Sequence, residues 1–200
     1  MLISLDSIVK EFDLNIRGVI HIGAHHGQEY QDYKNSGVKN MMFFEPVKAN
    51  FRELFCNMPL DIKLFNIALG NEVGTVDMFI ETANQGQSCS VLEPVKHLTQ
   101  YPGIIFDSKE TVRITKLDLI DFDRSLFNMI NIDVQGMELE VFKGAVETLK
   151  GIDIIYTEVN RDEVYKNCAR VEQLDEFLIN FKRVKTEWTG GSWGDALYLR

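Results

Sequence analysis

The chain has 200 residues, of which 45% are apolar and 26% charged; that balance excludes a disordered, collagen-like or coiled-coil protein. Its 21 basic and 30 acidic residues leave a net charge of −9, which argues against broad binding to nucleic acid or to an anionic membrane. This length suits a single domain that buries roughly 70% of its unfolded surface and needs no covalent staples. Leu2, Leu5, Ile8, Val9 and Phe12 recur at helical spacing and predict an amphipathic helix within residues 1–16. That opening carries Asp6 and no early basic cluster, unlike a signal peptide. No later run nears the roughly 18 apolar residues of a membrane span. Residues 18–22 read as a buried strand stopping at Gly23, residues 27–36 as a helix, and residues 41–44 as a second strand ending at Glu45-Pro46. Phe51, Leu54, Phe55 and Met58 then share one helical face, and residues 63–67 predict a third strand.

The middle of the chain changes character. Residues 74–81 and 111–117 alternate as β-strands do, around a polar stretch at 82–90 and a short helix near 94–100. Strand–helix alternation then resumes with a strand at 128–133, a helix at 138–149 burying Phe142, Ala145, Val146 and Leu149, and a strand at 152–158. A last helix spans 171–181, and strands near 182–188 and 195–199 flank the turn Thr189-Gly190-Gly191-Ser192. Cys56, Cys89 and Cys168 are odd in number, widely separated and form no C-x-x-C pair. They argue against a disulfide framework or zinc cluster and for a reducing, cytoplasmic setting without membrane insertion.

Strands alternating with helices predict an α/β fold: a mostly parallel sheet with helices on both faces. Ligands of such sheets sit beyond the carboxyl ends of the strands, where strand order reverses. The chemistry is therefore expected at residues 23–27, Glu45, Asp133 and Glu158, with the β-rich segment 74–117 forming a wall or lid over that edge. The loop Gly23-Ala24-His25-His26-Gly27 keeps side chains small where a ligand meets the backbone. Glu45 follows Gly23 by 22 residues, and a carboxylate at that distance suits the two hydroxyls of a ribose. A dinucleotide fingerprint needs glycine where this chain has His25, because the pyrophosphate must approach the backbone. S-adenosylmethionine has a ribose but no phosphate and tolerates the loop better. A dinucleotide-dependent oxidoreductase and a non-catalytic cofactor-binding module remain open at this point.

The segment Ile130-Asn131-Ile132-Asp133-Val134-Gln135-Gly136-Met137-Glu138, continuing to Gly144-Ala145, closely resembles the K-x-D-v-E-G-x-E-x-x-x-L-x-G-A motif of FkbM-type methyltransferases. His21 to Gln28 resembles their D-v-G-A-n-x-G-q loop, and Phe44-Glu45-Pro46 and Asn66 to Gly70 match further pieces, so that the likeness covers residues 17–160. It implies a Rossmann-like class I S-adenosylmethionine-dependent O-methyltransferase, with a seven-stranded sheet whose final strand is antiparallel. Position by position it implies that Gly23, Ala24, His26, Gly27, Glu45, Ala68 and Asp133 lie near the cofactor. The run Ser88 to Leu98 resembles the S-S-l-x-x-P-x-x-H-l loop of sugar-oriented members, which implies cofactor contact by Ser88 and acceptor contact by His97. This chain departs from the family in having His21 for Asp, Asn131 for Lys, Gln135 for Glu and Cys89 for Ser.

A hydroxyl is a poor nucleophile until a base or a metal lowers its pKa. Asp133 and His26 are the candidate catalytic residues on this ground. Glu158 and Asn160 stand two apart on one strand and face the same side, and Asp133 ends a neighbouring strand about 4.8 Å away. Two carboxylates and an amide oxygen suit Mg²⁺ or Mn²⁺, so Asp133, Glu158 and Asn160 form the candidate metal set. His21, on a buried strand, reads as a hydrogen-bonded core residue. Tyr101, Phe106, Trp188 and Trp193 lie in or beside loops, and Trp193 is the candidate for packing against a sugar ring. Lys48 and Lys96 suit either a nucleotide-sugar phosphate or bulk solvent. The expected activity is O-methylation of a sugar hydroxyl, such as that of a deoxyhexose in a glycan, by one domain that also suits a larger glycan-processing protein. A non-sugar metabolite is the alternative acceptor.

Overall fold

The computed structural model describes residues 1–200. In chain order the elements are α1 (Leu5–Phe12), β1 (Gly18–Ile22), α2 (Tyr30–Asn35), β2 (Asn40–Phe44), α3 (Lys48–Asn57), β3 (Lys63–Phe65), β4 (Ala68–Leu69) and β5 (Gly74–Glu81). They continue with α4 (Lys96–Gln100), β6 (Phe106–Thr115), β7 (Met129–Ile132), α5 (Glu138–Lys143), α6 (Val146–Leu149), β8 (Ile154–Asn160), α7 (Val171–Phe177), β9 (Lys182–Trp188) and β10 (Trp193–Leu199). Seven strands form one sheet in the order β3-β2-β1-β7-β8-β10-β9. Pairing is parallel from β3 through β8, and β10 runs antiparallel between β8 and β9. Strand order reverses between β1 and β7, so that is where a crevice must open.

The central strands β1, β2 and β7 are apolar at most positions because each supplies a core on both faces, whereas the edge strand β9 is largely charged. Ile20, Met42, Phe44, Ile130 and Ile155 pack with Val141, Phe142 and Leu174 from α5 and α7. Val19, Met41, Phe43, Met129 and Ile154 pack on the other side with Leu5, Ile8, Tyr33 and Leu54 from α1, α2 and α3. The helix expected over 138–149 is broken into α5 and α6 at Gly144. A Cβ there would lie 2.0 Å from the carbonyl oxygen of Gly70, so the chain turns where two backbones touch. The helix expected over 27–36 begins only at Tyr30, because Gly27 holds φ +76° and ends a turn rather than starting a helix.

The middle segment builds its own small sheet, β4-β6-β5. Its β6 starts at Phe106, five residues earlier than the alternation suggested, and pairs antiparallel with β5 along its length. The loop from β5 to β6 runs back over the carboxyl edge of the main sheet. It is tied down by a bridge from Ser90 to Phe79 and by another from Pro94 to Tyr165. No helix is long and apolar enough to cross a membrane.

Candidate functional site

A cavity of about 310 Å³ opens beside the switch point between β1 and β7. Gly23, Ala24, His25, Glu45, Ala68 and Asp133 line it. The β1 loop is pinned at its base, where the Gly23 and Ala24 N–H groups both donate to the Phe44 carbonyl at 2.9 Å. Gly23 has φ +79°, and a Cβ on it would fall 1.8 Å from the Asp133 carbonyl oxygen. Only glycine lets the β1 and β7 loops close up in this way.

Glu45 is the buried acid of this cavity, 5% exposed. One of its carboxylate oxygens accepts the Val47 N–H and the other the His25 N–H, each at 2.9 Å. Each oxygen keeps a lone pair for a hydroxyl donor. Burial outweighs these bonds and lifts the Glu45 pKa to about 7. His25 has φ +49°, and its ring spans to the loop above, with Nε2 at 2.7 Å from the Gln85 carbonyl oxygen and Nδ1 at 2.7 Å from the Gln28 amide.

His21 lines the same cavity. Asn131 donates to the Tyr33 hydroxyl, and that hydroxyl lies 3.1 Å from His21 Nδ1. With Nδ1 accepting, the ring proton sits on Nε2. Burial lowers the His21 pKa and keeps the ring neutral.

A second cavity of about 160 Å³ adjoins the first beneath the β5–β6 loop. Ser88, His97, Tyr101 and Trp193 line it, and it shares Gln87, Asp133, Gln135, Glu158 and Trp193 with the larger one. Trp193 donates through Nε1 to the Tyr101 hydroxyl at 2.8 Å. The His97 ring packs against Tyr101, Phe106 and Tyr165, and its Nδ1 is buried without a partner. Neither cavity is lined by Lys or Arg. Lys48 and Lys96 sit elsewhere, each beside an acid, Glu110 and Asp162 respectively.

Where the cavities meet, β7 and β8 stand in register, Ile132 opposite Thr157, so Asp133 and Glu158 emerge side by side. Glu138, at the start of α5, completes a group of three carboxylates with oxygens within 4.8 Å of one another. Glu138 also closes the β7–α5 turn by accepting the Val134 and Gly136 N–H groups at 3.1 Å. Asp133 keeps an exposed edge, yet desolvation by the surrounding protein lifts its pKa to about 6, against a bond from Gln135 that lowers it and with the Asp195 charge adding to the rise. Burial, then Asp133 and Glu138, holds Glu158 well above the ordinary carboxylate range.

The Methyltransferase FkbM domain profile matches residues 21–185. This chain belongs to the FkbM methyltransferase family. It is 31% identical to 2-O-methyltransferase NoeI of Sinorhizobium fredii (strain NBRC 101917 / NGR234) over 193 residues, covering 90% of this chain and 77% of that protein. Its fold is similar to Sp1610 of Streptococcus pneumoniae, a candidate tRNA (m1A22) methyltransferase solved with S-adenosyl-L-methionine. The TM-score is 0.53 at 11% identity, over 96% of this chain and 70% of that one. Magnesium protoporphyrin IX methyltransferase of Synechocystis PCC 6803, with bound SAM, gives a TM-score of 0.52 at 9% identity, over 98% and 77%. The chain thus belongs to a methyltransferase family and has the class I fold that those two proteins use with bound S-adenosylmethionine, and the oxidoreductase alternative falls away.

Not every residue singled out in the FkbM sequence reaches the cavities. His26 lines neither; its ring stacks on His25 at 3.6 Å while its neighbour takes the inward position. Gly27 serves packing, since a Cβ there would meet Met58 at 2.1 Å and Leu54 at 2.8 Å. Ser88 lies in the smaller cavity rather than the larger. Asn160 lines neither and is buried with both amide atoms unpartnered. Glu138 escaped the sequence reading, although it sits in the quoted motif two residues after the Gly136 turn. Gln135, noted there only as a departure, lines both cavities.

Proposed function

We propose that this chain transfers the methyl group of S-adenosylmethionine to a hydroxyl of a neutral sugar, such as a deoxyhexose unit of a glycan. The observation that carries the reading is the junction of the two cavities at Asp133. The larger cavity suits the donor: Glu45 would accept the ribose hydroxyls, and His21, which lines the cavity with its proton on Nε2, would donate to the carboxylate of the amino-acid end. When bound, the donor presents an electrophilic sulfonium methyl, and the acceptor oxygen bonds to that carbon as the C–S electron pair returns to sulfur.

The protein has to orient that oxygen and take its proton. Asp133 is the one carboxylate of the three with an exposed edge, and a pKa near 6 leaves it ionised and basic at neutral pH. It accepts the hydroxyl proton as the new bond forms. The smaller cavity suits the sugar: Trp193, Tyr101 and His97 offer ring faces to C–H surfaces, and Asn84, Gln87 and Ser88 offer hydrogen bonds. Two carboxylates and no cation in its lining favour an uncharged acceptor. The likeness to a protein named as a 2-O-methyltransferase supports oxygen as the target atom.

The test is a radiolabelled-methyl assay against a panel of neutral oligosaccharides, glycolipids and non-sugar alcohols, paired with calorimetry of donor binding. Asp133→Ala is expected to lose transfer and keep donor affinity within about threefold. Undiminished transfer in that variant, or labelling confined to non-sugar alcohols, overturns the respective part of the proposal.

A further inference from the structure

Asp133 and Glu158 bring two carboxyl groups together near the ends of adjacent strands, and one side chain bridges them. The Gln135 amide nitrogen donates to Asp133 Oδ1 at 2.7 Å and to Glu158 Oε2 at 2.8 Å. Its carbonyl oxygen faces the Tyr165 hydroxyl at 2.8 Å. The amide cannot turn round, because its oxygen would then meet two carboxylate oxygens. Tyr165 therefore has an acceptor in front of it, and the Ser88 carbonyl, 2.9 Å away, is a second one for the same proton. The main chain is held as firmly: Gln135 has φ +53°, and the Ser90 hydroxyl donates to its carbonyl at 2.8 Å.

An NH₂ group offers two protons in one plane, one for each carboxylate. That is the geometric task a divalent cation would perform at this point. The residues present do not fit such a cation. The inner oxygens of Asp133 and Glu158 already hold the amide protons, one Glu138 oxygen holds two backbone N–H groups, and Asn160 lines neither cavity. The family motif has Glu at this position, and a third acid between the two would demand a proton or a metal there.

We propose that Gln135 is a positioning residue that takes the place of a divalent cation, bridging Asp133 and Glu158 so that methyl transfer proceeds without a metal. The part played by Asp133 rests on the methyl-transfer reading; the bridge does not. Gln135 sits in the lining of both cavities, so the bridge orients Asp133 where acceptor and donor meet.

The experiment is Mn²⁺ titration of the full chain, followed by the electron paramagnetic resonance signal of free Mn²⁺, for wild type and for Gln135→Glu. Wild type is expected to bind no Mn²⁺ below millimolar concentration. Gln135→Glu, with a fourth carboxylate in the cluster, is expected to bind it at least tenfold more tightly and to gain thermal stability on adding it. Wild-type turnover is expected to be unchanged by EDTA. Sub-millimolar Mn²⁺ binding by wild type that Glu158→Gln removes, or turnover lost in EDTA and restored by Mn²⁺, overturns the proposal. So does a folded Gln135→Glu that binds Mn²⁺ no better than wild type. Should Gln135→Glu not fold, the two wild-type measurements still decide. Absent donor binding in calorimetry would sink the methyl-transfer reading and leave the bridge standing, so the two failures are distinguishable.

Discussion

Gly23 and Asp133 meet backbone to backbone, with no room for even one methyl group between the β1 loop and the end of β7. The contact sets the floor of the larger cavity and fixes the spacing of the strands at the switch point. Gly23→Ala adds a Cβ at φ +79°, which costs about 1–2 kcal/mol in conformation, and drives it into a carbonyl that cannot yield, for about 1–3 kcal/mol more. The expected loss of about 2–5 kcal/mol should appear as a lower urea midpoint and a lost donor-binding heat. Gly37→Ala is the control for the φ contribution alone, because it has φ +78° and open space around the Cβ. Equal losses in the two variants would remove the argument from close approach.

Glu45 makes donor binding depend on pH. Its pKa near 7 in the folded chain exceeds the ordinary 4.5, so the folded state holds more protons than the unfolded state between those values. Stability of the ligand-free protein therefore falls as pH rises through that window, by about 3 kcal/mol from this group at full strength. Donor affinity follows the opposite course, because ribose hydroxyls donate to the ionised form. Affinity should level off above pH 7 and weaken by up to about tenfold per unit below it. Glu45→Gln should flatten the affinity curve, make the stability curve shallower by the share of this one group while Asp133 and Glu158 keep theirs, and weaken donor binding at pH 8 by about 1–3 kcal/mol. Calorimetry and thermal melts from pH 5.5 to 8.5 read both; a pH-independent wild-type affinity contradicts the ribose assignment.

His21 stands where the family motif has an acid, and the Tyr33–Asn131 pair decides which ring nitrogen carries its proton. A neutral donor facing the cavity favours the carboxylate of the methionine end over its ammonium group. His21→Ala should thus weaken S-adenosylhomocysteine by about tenfold while leaving methylthioadenosine, which lacks the amino-acid end, within about twofold. Tyr33→Phe removes the partner of Nδ1 and strands the buried Asn131 amide, a change expected to cost about 1–3 kcal/mol of stability. Equal weakening of the two ligands in His21→Ala would show that the histidine only supports the core.

Much of this architecture was legible because both faces of the sheet are covered. The runs at 18–22 and 41–44 are apolar at nearly every position, and the acids at or just past strand ends, Glu45, Asp133 and Glu158, mark the sheet edge without any tertiary knowledge. What was hidden depends on long-range contact. The break at Gly144 exists because Gly70 lies against it, 74 residues away in the chain. Choosing His26 over His25 turned on a single positive φ at a non-glycine residue, which no periodicity reveals. The two-residue repeat along β8 joined Asn160 to Glu158 but could not foresee that α5 would carry Glu138 back to the same point. Gln135 was visible only as a departure from a motif; its meaning came from the three partners around one amide.

The charge of the smaller cavity leads to a prediction on acceptor choice. Asp133 and Glu158 line it, no Lys or Arg does, and burial already penalises the charges it holds. An acidic sugar would bring a further negative charge into partly desolvated space, where like charges about 5 Å apart repel by roughly 3 kcal/mol at an effective dielectric of 20. A matched pair that differs only at one carbon, a methyl glycoside of a neutral hexose and of the corresponding uronic acid, isolates that contribution. The neutral member should show at least tenfold higher kcat/KM, with the gap narrowing as pH falls toward 5 and the carboxylates take up protons. Salt should change the ratio little, because the interacting groups lie inside the cavity rather than in solvent. Equal use of the two sugars, or preference for the acidic one, would place the acceptor outside this cavity and return the search to the open edge of the larger one.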